Sequence, residues 1–183
     1  MSSIPLTTAA AAVPMPGRPL NEFPALAGLA FEHLGAFGTV LRFAPEEARQ
    51  VVARMRLVNF PSGATLLREG EREQSEHLLL LLSGDVSVST AQSRGSEPVP
   101  ISVLGAGHLI GEMALLDGEP HSASCVAVSS VTAAALTLAG LLQLLDEHPR
   151  AAAKLLAVIA IGVSERLRAM NDQLHMLSGL SGR

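Results

Sequence analysis

The sequence predicts a mainly β fold with flanking helices, arranged as an antiparallel barrel or sandwich. Three observations carry this reading. Between residues 57 and 138, short apolar runs are separated at even intervals by Pro61-Ser62-Gly63, Glu69-Gly70-Glu71, Ser83-Gly84 and Gly105-Ala106-Gly107, the punctuation of many short strands. Ahead of this region the apolar residues recur at helical spacing, and behind it they do so again over a longer stretch.

In chain order, residues 1–23 read as a flexible tail. They mix Ala, Thr and Pro. Pro14, Pro16 and Pro19 break any helix, and no positive charge precedes the apolar part as a secretory leader requires. Residues 24–37 form a helix through Leu26, Leu29, Ala30, Phe31 and Leu34. A second helix starts at Pro45, with Glu46 and Glu47 complementing its N-terminal dipole and Ala48, Val51, Val52 and Met55 on its buried face. Strands follow at 57–60, 65–68, 77–82, 85–90 and 99–104, with 92–98 as a polar hairpin loop, and then at 123–128 and 131–138. Val86 and Val88 alternate with Ser87 and Ser89, as in a half-buried strand. The leucines at 78–82 are apolar on both faces and must be covered on both. Residues 140–147 make a short helix stopped by His148-Pro149, and 150–177 one long helix.

Composition removes several classes of function. With 183 residues, 48% hydrophobic and 16% charged, the chain can bury one good core. The net charge of −4 and a single lysine, Lys154, leave no basic tract for a run of phosphates, so no direct nucleic-acid partner is expected. One cysteine, Cys125, excludes a disulfide framework or a cysteine-ligated metal site within one chain; in a strand it is a small buried thiol. The longest uncharged apolar stretch, 155–163, is too short to span a bilayer. A cytoplasmic protein without membrane contact is expected.

The informative stretch runs from Ile110 to Ser124. Gly111 permits a tight bend, and 113–116 is long enough for one helical turn, whose leading N–H groups carry partial positive charge and suit a phosphate. Glu112 repels a phosphate but accepts hydrogen bonds well from a sugar hydroxyl. Phosphate and sugar together point to a nucleotide. The pattern Gly111-Glu112-Met113-Ala114-Leu115, a short loop, then Pro120-His121-Ser122-Ala123 resembles the phosphate-binding cassette of the cyclic nucleotide-binding domain, in its catabolite activator or Crp-Fnr type. The turns before it, with Glu69-Gly70-Glu71 and Ser83-Gly84-Asp85-Val86, resemble the same family's opening.

The resemblance implies a jelly-roll-like antiparallel barrel of eight strands, with N-terminal helices and a long C-terminal helix. Residues 24–148 would hold the helices and the barrel, and 149–183 a helix that lids the nucleotide base and pairs with its twin. It also implies cAMP or cGMP as ligand, held by Ile110, Gly111, Glu112, the backbone of Met113, Ala114 and Leu115, and by His121, Ser122 and Ala123. Arg166 and Asn171 are the polar residues on the long helix for base contacts. One position departs from the family. Where the family has an arginine on the cyclic phosphate, this chain has His121, which offers one contact and is mostly neutral near pH 7. Loss of that charge-assisted pair is worth about 1.5–3 kcal/mol.

On the long helix, Leu156, Ile159, Val163, Leu167, Met170, Leu174 and Leu177 fall at spacings of three and four. Seven such positions over about six turns exceed what a small barrel covers, and a homodimer through this helix is expected. After residue 183 the given sequence holds no helix-turn-helix, so the expectation is a sensor that has no DNA-binding domain of its own and signals to an unidentified protein partner. No nucleophile elbow, Walker loop or metal-ligand spacing appears, so neither enzyme activity nor a metal or cofactor is expected. His108, Glu112 and His121 lack a recognised metal spacing, and His33, His77, His148 and His175 read as surface or edge residues. Because of His121 two other readings stand beside the sensor: a ligand-free dimeric scaffold, and a site for another anion such as cyclic di-GMP.

Overall fold

The computed structural model describes residues 17–36, 42–71, 77–90 and 99–180, with side chains as far as 172. The elements are β1 (Arg18–Pro19), α1 (Pro24–Ala36), α2 (Pro45–Val52), β2 (Arg56–Phe60), β3 (Thr65–Leu67), β4 (His77–Ser83), β5 (Val86–Thr90), β6 (Val99–Leu104), β7 (Leu109–Ile110), α3 (Glu112–Asp117), β8 (Ser124–Ala127), β9 (Val131–Thr137), α4 (Leu138–Glu147) and α5 (Pro149–Leu180). Two antiparallel sheets, β1-β2-β9-β4-β7 and β3-β8-β5-β6, face each other. Among the described residues they do not close into one continuous barrel, and there are nine strands where the resemblance implied eight. Two of the nine, β1 and β7, are only two residues long.

The leucine run of β4 divides as its alternation requires. Leu79 and Leu81 point between the sheets, with Phe60, Ile110, Cys125, Val131, Ala133 and Ala135. Leu78, Leu80 and Leu82 point outward under the helices, with Leu34, Met55, Leu141, Leu155 and Ile159. One strand thus supplies both cores, and five of its side chains are almost wholly removed from water.

Element ends differ from the sequence reading for local reasons. α4 begins at Leu138 because Thr137 caps it: the Gly140 amide donates to Thr137 Oγ1 at 3.1 Å, which also ends β9. Residues 17–23, read as the end of the tail, pack onto the fold. Arg18 and Pro19 pair with Leu57 and Arg56, Leu20 is fully buried, and its amide donates to the Met55 carbonyl at 3.0 Å. The tail before residue 17 and the hairpin loop 92–98 lie outside the described residues.

The first half of α5 seats on the outer core through Ala151, Ala152, Leu155, Val158 and Ile159. Lys154 fixes this half to α2: its ammonium donates to the Glu47 carboxylate and, at 2.8 Å, to the Arg42 carbonyl. The bond from Lys154, and then one from the Ala44 amide, hold the Glu47 carboxyl below its usual range. Beyond Val163 the helix stands clear, and every described residue from Ser164 to Asp172 is exposed. Leu174 and Leu177 lie outside the residues whose side chains are described. Among the described residues no helix is long and apolar enough to cross a membrane.

Leu80→Ala should lower stability by about 2–5 kcal/mol, a large-to-small change in a closed core. Val103→Ser, at a strand position 64% exposed, should change it by no more than about 0.5 kcal/mol. The chain has no Trp or Tyr, so urea unfolding followed by far-ultraviolet circular dichroism is the measurement.

Candidate functional site

The cassette hangs from the end of β4. β7 pairs with it through Leu80↔Leu109 and Leu79↔Ile110, which sends the Ile110 side chain between the sheets. Gly111 then leaves the ladder at φ +80°. A Cβ there would also come within 2.9 Å of the His77 carbonyl and 3.3 Å of the Leu67 side chain. Glycine is required both for the turn and for the contact.

α3 starts at once. The Leu115 amide donates to the Gly111 carbonyl at 3.2 Å and is therefore committed within the helix. The leading amides of Glu112, Met113 and Ala114 lie ahead of that first bond. Leu115 sends its side chain into the outer core and Ala114 is buried, whereas Met113 is 46% exposed. Of the three backbone amides expected at a ligand, 113–115, that of Leu115 is engaged within the helix, and those of Met113 and Ala114 precede that bond.

The return limb runs back along the Glu69-Gly70-Glu71 turn. The His121 amide donates to the Glu71 carbonyl at 3.3 Å, and the Gly70 amide to the His121 carbonyl at 2.9 Å. The Glu69 amide donates to Ser124 Oγ at 3.0 Å. His121 is buried and Ser122 exposed, so the two adjacent side chains go to different environments. The Ser122 hydroxyl reaches Met113 Sδ at 3.9 Å across the start of α3. Ala123 is half-buried beside them.

Glu112 is the unusual residue. It is 2% exposed, and its Oε1 accepts from Nη2 of Arg166 on α5. Its Oε2 is buried and has no hydrogen-bond partner among the described residues. The sequence reading assigned Glu112 to a sugar and Arg166 to a base; the structure places them on each other. Asn171 is exposed and does not join them.

On the helix side of this pair a cavity of 540 Å³ opens between α1, the turn joining β6 to β7, and α5. His33, His108, Glu112, Glu165 and Arg166 give it polar walls, while His121, Ser122 and Ala123 do not line it. The cavity reaches the cassette at Glu112, and the return limb lies outside it. His33 and Glu165 were not legible as site residues, since nothing in their local sequence marks them. Gly107, at φ +87°, brings the backbone against the His33 ring, 3.2 Å from its Nδ1 to where a Cβ would sit. Among the described residues no three His, Cys, Asp or Glu side chains are placed to hold a metal ion.

Two titrating groups sit on the inner side. His77 is half-buried; burial, and then the neighbouring His121, push its imidazole below the ordinary range. Cys125 is buried, and burial, reinforced by the Glu112 carboxylate, pushes its thiol up from 9.0 to about 12. The raised value means that the protonated thiol is favoured by the fold. Its contribution to stability is intact below pH 9.0 and is lost as pH rises toward 12. Iodoacetamide at pH 8.5 should accordingly leave folded Cys125 unmodified and alkylate it fully in denaturant, read by intact mass.

Comparison with known proteins agrees with the geometry. The family model described as "Cyclic nucleotide-binding domain" matches residues 57–148. The chain is 34% identical over 135 residues to the cyclic AMP receptor protein of Thermus thermophilus, covering 74% of this chain and 59% of that protein. It is 32% identical over 111 residues to a cyclic nucleotide-gated potassium channel of Mesorhizobium japonicum, covering 61% and 28%. Among solved structures, a cyclic nucleotide-binding domain from Methylobacillus flagellatus superposes with a TM-score of 0.75 at 32% identity, covering 81% of this chain and 82% of that one. The chain thus spans about three fifths of the length of the Thermus receptor and less of the channel. With the Gly111-Glu112 turn, the paired sheets and the long terminal helix in place, the chain belongs to the cyclic nucleotide-binding domain family.

Proposed function

We infer that the protein is a regulatory sensor for a cyclic nucleotide such as cAMP or cGMP, and that it passes occupancy to a partner protein through α5. The observation that carries this is Glu112. A carboxylate 2% exposed, with Oε2 lacking a partner among the described residues, has an acceptor to offer that a ribose hydroxyl would satisfy. The phosphate would lie at the Met113 and Ala114 amides, with Ser122 and His121 beside it. Ile110 and Gly111 shape the turn beneath it, Ala123 packs beside it, Leu115 anchors the short helix in the outer core, and Arg166 stands toward the base. The reading draws on the receptor and the channel, whose names record cyclic nucleotide recognition. It involves no catalytic step, no cofactor, no direct DNA contact and no membrane, and it places the protein in the cytoplasm.

Leu167 and Met170 are 58% and 53% exposed on the free half of α5. This apolar face supports a homodimer through that helix. Changing both residues to Glu should convert the dimer to a monomer in sedimentation velocity while leaving the circular dichroism spectrum unchanged.

Titration calorimetry with cAMP, cGMP and cyclic di-GMP tests the sensor itself. Wild type should bind one of the first two, and Glu112→Ala should abolish the heat. His121→Arg should tighten binding about 10- to 100-fold by restoring a charge-assisted pair. Binding seen only with His121→Arg would instead support the ligand-free scaffold, and binding of cyclic di-GMP alone would reassign the ligand.

A further inference from the structure

Gly162 has no explanation in the fold. It lies near the middle of α5, where glycine weakens a helix relative to almost any other residue. It does not adopt positive φ, and a Cβ there would meet no atom within 4 Å, so neither a turn nor a close packing contact requires it. Its place is on the wall of the 540 Å³ cavity between α1, the turn joining β6 to β7, and α5. A larger side chain would fill that space. Gly162, Glu165, Arg166 and Ala169 follow one another at spacings of three and four and form that wall together. Leu167 and Met170 lie about a third of a turn away round the helix. The apolar seam and the cavity wall are therefore separate faces of α5.

The cavity has the size and the mixed lining of a small-molecule site. Leu104, Leu109 and Ile159 give it an apolar floor, and Leu109 and Ile159 are fixed in the outer core. Its polar groups offer acceptors. His33 Nε2 is shut off from water with no hydrogen-bond partner among the described residues, a cost that an occupant can remove. His108 Nδ1 lies 3.1 Å from the Gly105 carbonyl; a carbonyl only accepts, so the neutral ring carries its proton on Nδ1 and leaves Nε2 as an acceptor. Glu112 and Arg166 neutralise each other. Glu165 is the remaining charge on the wall, without an ion pair or hydrogen bond among the described residues, and Arg168 and Asp172 do not line the cavity.

We propose that this cavity is a second binding site, apart from the return limb of the cassette, for a small organic monocation: a protonated amine with an apolar body. The body rests on Leu104, Leu109 and Ile159, and the ammonium N–H groups donate to Glu165 and to the imidazoles of His33 and His108. Charge complementarity selects the cation, because the one unbalanced group on the wall is a carboxylate. The floor selects the body, since apolar surface leaves water on both partners. Gly162 keeps the space open at the expense of helix stability. The site stands whether or not the cassette holds a nucleotide.

The test is methyl nuclear magnetic resonance on the full chain with three probes of similar shape: phenethylammonium, the uncharged phenylethanol and the anionic phenylpropanoate. Phenethylammonium should shift the methyl signals of Leu104, Leu109 and Ile159 and bind more tightly than the alcohol, while the carboxylate leaves them unmoved. Glu165→Gln should weaken the amine about 2- to 5-fold and leave the alcohol as it was. Gly162→Leu fills the cavity with a better helix former and should abolish the shifts. If circular dichroism shows that variant unfolded, Ala169→Leu, exposed on the same wall, takes its place. Binding of the carboxylate as tight as that of the amine would overturn the assignment of a cation. Shifts that survive the filled cavity, or no shift from any probe, would overturn the site.

Discussion

The double-sided burial of β4 is the constraint on which the rest of the molecule depends. A strand whose five leucines are all withdrawn from water must have a sheet on one side and helices on the other, and both are found. Leu79 and Leu81 hold the two sheets together, while Leu78, Leu80 and Leu82 hold α1, α2, α4 and α5. The dispersion and transfer terms of a run like this are large enough to set the register of its neighbours. β9 supplies mostly alanine opposite the leucines, so large residues meet small ones and the layers fit closely. The site is attached to this rigid centre rather than to the periphery. β7 is a two-residue extension of the same ladder, and the cassette begins one residue after it.

Much of the fold was legible because its turns are chemically marked. The stretches Pro61-Ser62-Gly63 and Ser83-Gly84 separate strands in the structure as they do in the sequence, with Gly63 and Gly84 at φ +82° and +84°. β6 matches its reading at both ends. The long helix was visible from its three-and-four spacing. What could not be read is short or distant. β1 and β7 are too brief to show a period of two. Leu20 is buried through a contact with Met55, 35 residues away in sequence, and the prolines around it argue only against helix.

The nearness of the candidate site's residues was legible only in its local half, where Gly111, Glu112 and the limb from His121 to Ala123 lie close together in sequence. The pairing of Glu112 with Arg166 joins positions 54 residues apart, and the sequence gives each a separate plausible task. His77 was read with His33, His148 and His175 as a surface or edge residue because the four are scattered on different elements; in the structure it is half-buried, in step with Leu79 and Leu81. The bond from the Leu115 amide to the Gly111 carbonyl was not legible, because it depends on where the short helix starts.

The bond from Arg166 to Glu112 has a consequence for the half of α5 that stands clear of the core. Arg166 lies three residues beyond Val163, where the helix loses its packing, and through it the free segment is tied to a buried acceptor in the cassette. Whatever donates to Oε1 of Glu112 in place of Arg166 releases that segment, and whatever grips the segment from outside alters how readily Glu112 gives Arg166 up. The two events share one free-energy difference, and thermodynamic reciprocity makes the effect equal in both directions. Any constraint placed on the far end of α5 is therefore felt at Glu112, 54 residues earlier in the chain.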